Sequence, residues 1–366
     1  MHVSAMHSPV SPDLSGWGEK IIGRGSSINP VNRFEPLHYD LDEWCDPPLQ
    51  SHIRTQLFRD DTQSIIARNQ SPDVGFETSV NPYRGCEHGC AYCYARPTHE
   101  YLGFSAGIDF ESKILVKPNA AALLSAELNR PGWRPQTLTM SGVTDCYQPI
   151  ERKLKITRAC LQVLADFRNP TFIVTKNHLV TRDIDLLANL AAHKAAGVTV
   201  SVTTLDASLA QKLEPRASNP QSRLAAIREL SNANIPVGVN VAPIIPGLTD
   251  HEIPSILAAA SEAGAQFAYY TIVRLPLSVS TIFINWLETH YPDRKNTVLR
   301  RIESMRGGKL NESSFGKRMR GEGILAEQIR QIFQVGCRRA GIKQDHPELN
   351  TSAFRRIEPN QMGLDL

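Results

Sequence analysis

The 366-residue chain has no apolar run approaching the ~18 residues needed to cross a bilayer. Its N-terminus, "MHVSAMHSPVSPDLSGWGEK", lacks the basic and then apolar regions of a secretory signal. Low-complexity tracts and internal repeats are absent, which excludes solenoids and fibrous proteins. It also lacks a disulfide framework: its seven cysteines are an odd number, and three of them lie too close together to staple a secreted domain. These absences point to a reducing cytosol with metal-bound thiolates. With a 41% hydrophobic content, the chain can bury one large core, and an α/β barrel of this length is ordinary as one domain.

Net charge is only +3, but it is unevenly spread. Residues 291–343 hold 13 Lys/Arg against 5 Asp/Glu, a net +8 that leaves −5 for the rest. This basic segment could hold a polyanion, or it could be the solvated face of a helix.

Residues 1–75 show weak periodicity and many turn residues, and read as an irregular arm around the core. From residue 76 onward, β-prone runs alternate with helical ones, as parallel strands joined by helical crossovers require. The strands are expected at 76–82, 137–141, 171–175, 198–204, 236–242 and 266–273. Between them lie helices in "TRDIDLLANLAAHKAAG", with Thr181 as N-cap and Gly197 as stop, in "NPQSRLAAIRELSNAN", and in "TDHEIPSILAAASEAG", ending at Gly264. "ILVKPNAAALLSAELNR" adds a short strand and a helix starting near Pro118. Six such units fit a partial (β/α)6 barrel over 76–290, followed by a mostly helical extension over 291–366. An open doubly wound sheet shows the same alternation. In both, ligands sit where strands end and loops begin.

Three cysteines stand within eight positions in "RGCEHGCAYCYAR": Cys86, Cys90 and Cys93. Structural zinc and four-iron clusters both normally take four protein ligands. Three thiolates therefore suggest a cluster with one corner left for something other than protein. The alternative is zinc, completed by His88 or a distant histidine. Cys45, Cys160 and Cys337 are isolated, and Cys160 in "TRACLQVLADF" reads as a packing thiol.

The C-x3-C-x2-C spacing with an aromatic before the last cysteine, directly after the first expected strand, resembles the cluster loop of radical S-adenosylmethionine (SAM) enzymes. "YCYAR" is similar to the branch of spore photoproduct lyase and DNA-repair-photolyase-like proteins, over roughly residues 76–275. The resemblance implies a [4Fe–4S] cluster on Cys86, Cys90 and Cys93, with SAM chelating the fourth iron. One-electron cleavage of SAM then gives methionine and a 5′-deoxyadenosyl radical that abstracts hydrogen from substrate. It further implies Ser141, Thr144 and Asp145 as acceptors for the methionine ammonium, although the usual Gly-Gly-Glu triplet is absent. Lys176 is implied as partner of the methionine carboxylate. Ser201 and Thr203 would meet the carboxylate or ribose, Arg216 or Arg223 would contact the carboxylate or close the site, and "APIIPGLTD" would pack near adenine. The backbone of Val273 to Leu275 would meet the adenine edge. Tyr92 and Tyr94 match the tyrosines that flank the last cluster cysteine in the lyase and could relay a hydrogen atom, or else they pack around the cluster. The lyase's hydrogen-returning cysteine has no counterpart at the matching position, but Cys146 lies in the same loop and is the candidate to return a hydrogen atom to the product radical.

The implied activity is lyase-like repair of DNA, with a one-electron donor such as flavodoxin or ferredoxin. The basic segment and the arginines of "GRGSSINPVNRF" would hold the backbone, and a base in duplex DNA would have to be extruded. RNA or a peptide could equally be the substrate. A non-catalytic nucleic-acid-binding protein with a structural metal is the reading from a different class.

Overall fold

The computed structural model describes residues 23–34 and 53–357; Cys45 lies outside them. Among the described residues, ten strands form in chain order: β1 (Gln56–Arg59), β2 (Ile66–Arg68), β3 (Thr78–Val80), β4 (Tyr83–Arg84), β5 (Lys113–Val116), β6 (Leu138–Met140), β7 (Thr171–Thr175), β8 (Ala196–Ser201), β9 (Val237–Ile244) and β10 (Phe267–Ile272). The spatial order of the main sheet is β10-β9-β8-β7-β6-β3-β2. Every neighbouring pair from β3 to β10 is parallel, and β2 runs antiparallel to β3.

All six expected strands are present. Because β3, β6, β7, β8, β9 and β10 lie side by side in chain order, each crossover adds its strand on the same side. A doubly wound sheet reverses direction partway, so the sheet is that of a partial barrel. No closure ladder joins β10 to β2 or β3 among the described residues. Val and Ile runs such as "TFIVT" favour the pleated, doubly covered environment, and β8 is buried along its whole length.

Capping residues set some of the crossover-helix ends. Asn219 caps Pro220–Asn232 through a 2.7 Å bond from Ser222 N–H, with Pro220 in the first turn. Gly264 follows helix Ile253–Glu262 at φ +98°. In the 177–197 unit the ends differ from expectation. Asn177, not Thr181, supplies the cap, by accepting from Leu179 N–H, and Thr181 lies inside a 3-10 turn, His178–Asp183. Gly197 belongs to β8, where a Cβ would stand 2.8 Å from the Phe172 ring. Cross-strand packing, not helix termination, requires that glycine.

The flanking segments are more ordered than composition suggests. Residues 53–75 contribute β1 and β2, so that part of the arm is not irregular. β5, the expected short strand before helix Ala120–Asn129, joins β1 and β4 in a separate three-stranded sheet. Helix Ser278–His290 closes the barrel segment, and the C-terminal extension is helical over Pro292–Ser304 and Gly323–Ala340 and also covers the barrel's open edge. Ile272 N–H donates to Met319 C=O (2.9 Å) and Ala268 N–H to Lys343 C=O (2.8 Å). On the other side of the gap, Arg318 pairs with Asp73 at 2.6 Å. An uncovered strand edge invites mispairing, and here this segment protects it.

Candidate active site

The cysteine loop follows β4 and is fastened from several directions. Cys86 N–H donates to Phe110 C=O (2.9 Å), Ala91 N–H to Leu213 C=O (3.0 Å) and Glu87 N–H to Gln148 Oε1 (2.8 Å). Fully buried Arg96 donates from Nε to Cys90 C=O (2.9 Å) and pairs with buried Glu111 at 2.5 Å. The same carboxylate accepts the backbone N–H groups of Gly25 (3.0 Å) and Ser26 (2.9 Å), which ties the arm to the loop. A Cβ at Gly25 would lie 1.6 Å from Gly89 C=O, so only glycine permits this backbone-on-backbone approach. Cys86 and Cys90 are buried, and Cys93 is partly exposed.

All three cysteines line a cavity of 240 Å³ at the C-terminal ends of the parallel strands. Of the expected site residues, Tyr92, Tyr94, Ser141, Thr144, Asp145, Lys176, Ser201 and Val273 also line it. The apolar-glycine loop contributes Ala242 and Pro243. Ser141 has φ +75° and its hydroxyl accepts from Cys146 N–H (2.8 Å), while Thr144 donates to Tyr83 C=O (2.9 Å).

The electrostatic centre is Glu214, which the sequence reading passed over although it heads the segment "EPRASNPQSR". It is 2% exposed and bonded to Tyr92 OH and the Arg223 guanidinium. Lys176 Nζ lies 3.2 Å from its Oε1, and Thr203 Oγ1 lies 2.7 Å away. Burial opposes ionisation, but Arg223 and Lys176 outweigh it and hold the carboxyl well below its ordinary range. Lys176 also donates to Ala242 C=O (3.0 Å), which fixes its ammonium at the cavity wall. Thr203 lies behind Lys176 and does not line the cavity.

Several assignments need correction. Asp145 reaches the cavity but its oxygens are already occupied: they accept from Thr175 Oγ1 (2.8 Å), Lys176 N–H (2.7 Å) and Tyr147 N–H (2.9 Å), and His88 Nδ1 is 3.4 Å away. It locks the end of β7 to the cysteine loop and has no free lone pair for a ligand ammonium. Val273 presents side chain only, since its N–H donates to Ile244 C=O (2.9 Å) and its C=O accepts from buried Arg306 (2.6 Å). Arg216 pairs with Glu87 at 3.1 Å behind the loop, and Arg223 is buried against Glu214 and Ser201 C=O; neither reaches the cavity. Cys146 is fully buried in the main apolar core and does not line the cavity, so its position offers no route for returning hydrogen to a substrate. Arg24 and Arg33 are spent on the fold: Arg24 donates to Glu111 C=O (2.6 Å), and Arg33 pairs with Glu100 at 2.5 Å. In the basic extension, Arg306, Arg318, Arg301 and Lys317 likewise have internal partners. Arg274, marked in the sequence only for its backbone, stands at the cavity with its guanidinium 4.7 Å from the Tyr94 ring centre.

The family model of the radical SAM superfamily matches residues 80–260. An uncharacterized protein of Mycobacterium tuberculosis is 36% identical over 259 residues, covering 69% of this chain and 75% of that protein. The chain belongs to the radical SAM superfamily. An uncharacterized protein of Methanocaldococcus jannaschii is 29% identical over 225 residues, covering 62% of this chain and 80% of its own. Among solved structures, spore photoproduct lyase complexed with dinucleoside spore photoproduct superposes with a TM-score of 0.57 at 16% identity, over 79% of each chain. At that identity the likeness is one of fold.

Radical SAM enzymes use a [4Fe–4S] cluster and SAM, and the residues present fit both. Three thiols of one loop share a cavity wall. Among the described residues, no three His, Cys, Asp or Glu side chains converge on one ion; thiolates of a four-iron cluster bind separate irons and need not converge. His88 is unsuited to completing a zinc site, because Asn177 Nδ2 lies 3.1 Å from its Nε2 and Asp145 takes its Nδ1. Burial pushes all three thiols up, so metal binding must displace their protons.

Proposed function

We propose that this radical SAM protein reductively cleaves SAM and uses the resulting radical on a nucleic acid, in lyase-like repair of DNA. The observation that carries this reading is the convergence of Cys86, Cys90 and Cys93 with Lys176 and Tyr94 on one cavity at the strand ends. When bound, the cluster supplies the electron that breaks a carbon–sulfur bond of SAM. The cysteines hold three of its corners. Lys176, oriented by Glu214, presents positive charge for the methionine carboxylate, and Ser141 and Thr144 line the wall beside it. Pro243 and Val273 give apolar surface for adenine.

Tyr92 and Tyr94 divide their roles. The Tyr92 hydroxyl is tied to Glu214, and burial and that carboxylate push its pKa up, so it stays protonated and fixes the carboxylate. Tyr94 is 47% exposed and its hydroxyl donates to Gly142 C=O (3.2 Å), which puts it where substrate arrives. It is the better placed of the two to relay a hydrogen atom. Arg274 beside it supplies a cation for a phosphate. Support for DNA comes from the fold shared with spore photoproduct lyase and from these two residues. The reductant in the cell would be a one-electron carrier of the flavodoxin or ferredoxin type.

The test is anaerobic incubation of reconstituted protein with SAM, dithionite and UV-irradiated DNA, followed by mass analysis of the nucleosides. The expected result is 5′-deoxyadenosine together with loss of a photoproduct. SAM cleavage with every DNA lesion unchanged would remove DNA repair and leave RNA or a peptide as substrate.

A further inference from the structure

A second and larger cavity, of 510 Å³, lies in the opposite half of the barrel, toward the N-terminal ends of the strands. Thr139, Phe172, Thr199 and Tyr269 reach it from four different strands. Val174, Asn240, Thr271 and Met319 line both cavities, so the two chambers share a wall. The size falls within the ~300–1,000 Å³ of small-molecule sites.

Three buried side-chain polar atoms on the barrel-facing side of the sheet have no hydrogen-bond partner: Thr199 Oγ1, Asn240 Oδ1 and Tyr269 OH. Tyr270, the next residue of β10, turns to the other face and packs against Phe333 at 4.7 Å. Leaving buried donors and acceptors unpaired is costly, and folded proteins seldom do so without a ligand or ordered water to satisfy them. These atoms belong to three adjacent strands and gather on one chamber, which is the signature of a site and not of a local packing fault. Its walls also offer the rings of Phe76 and Phe172. The charges are peripheral or spoken for: Arg320 is exposed and stacked over Tyr270 (5.6 Å), His346 and Glu348 are exposed, and Asp73 is paired with Arg318. Aromatic faces combined with neutral hydroxyl and amide groups suit a flat, uncharged ring bearing several hydrogen-bonding atoms.

We propose that this lower chamber is a binding site for a heteroaromatic ring of nucleobase class, of nucleoside size. Its place in the reaction rests on the radical SAM reading above: a base held there meets the cofactor cavity across Asn240, Thr271 and Met319. Binding itself does not depend on that reading.

Thymidine, cytidine, adenosine and guanosine, each at millimolar concentration, are titrated into the full chain without SAM or reductant, with phenol as a purely aromatic control. Melting temperature and calorimetric Kd are read for wild type, Thr199→Val and Tyr269→Phe. Each substitution removes one unpaired hydroxyl and keeps the shape. At least one nucleoside is expected to bind and raise Tm while phenol does not. Both variants should melt no lower than wild type without ligand, yet bind that nucleoside about tenfold more weakly. The proposal is overturned if no nucleoside binds, if phenol binds as well as the best of them, or if both variants bind unchanged. A chamber filled only by structural water gives the last result together with lower melting of the variants. A negative outcome leaves SAM cleavage standing, because neither SAM nor cluster reduction enters the measurement.

Discussion

Replacing Glu214 by Gln tests the electrostatic core of the site without changing its shape. The carboxylate faces two cations, fully buried Arg223 and mostly buried Lys176, and also accepts the Tyr92 hydroxyl. The amide keeps one acceptor but removes the charge, so Arg223 stays desolvated with only the carbonyls of Ser201 (3.1 Å) and Ser218 (2.7 Å) as partners. Breaking a buried pair in this way costs about 3–5 kcal/mol. Lys176, 17% exposed on its side chain, contributes less because water screens it. Urea unfolding of Glu214→Gln should therefore lose about 3–5 kcal/mol relative to wild type. The double variant Glu214→Gln/Arg223→Met, which removes both charges, should recover much of that loss. A single-variant loss below about 1 kcal/mol, or a double variant no better than the single, would show that the carboxylate is not carrying the buried charge.

Cys93→Ala should abolish reductive SAM cleavage, read as 5′-deoxyadenosine by chromatography, and should perturb the reduced cluster's electron paramagnetic resonance spectrum; full cleavage would refute the ligand assignment. Gly25→Ala, by pushing a methyl into the Gly89 carbonyl, should lower iron incorporation on reconstitution although residue 25 touches no cofactor. Cys146→Ser should leave SAM cleavage and products unchanged and cost only stability, since its thiol lies in the core; altered products would return it to the mechanism. His99 is fully buried between Phe104 and Phe110, and burial lowers its pKa from the ordinary 6.5 to about 4. The unfolded chain therefore takes up its proton first. That stability is complete above about pH 6.5 and falls by about 3 kcal/mol as pH drops toward 4, a slope that His99→Gln should lack in denaturation curves.

Local chemistry made much of this molecule legible in advance. Short β-prone runs placed all six barrel strands, and Gly264 marked a helix end, because those preferences act within a few residues; Thr181 and Gly197 did not mark theirs. The cysteine spacing identified the cluster loop for the same reason. What the sequence left open was which partners each polar group would find. Asp145 and Val273 sit beside the cavity as expected, yet their hydrogen-bonding capacity is consumed by β7, β9 and Arg306, residues up to 33 positions away. Several of the arginines that composition offered to a polyanion are instead ion-paired or buried, whereas Arg294, Arg300, Arg338 and Arg339 stay exposed. Glu214 and Arg306 carry no local signature, because their importance comes from burial, and burial is decided only when distant segments pack. The same holds for the lower chamber: single hydroxyls and an amide on adjacent strands mean nothing in a linear reading. The parallel order β8-β9-β10 brings them to one wall with no partner of their own.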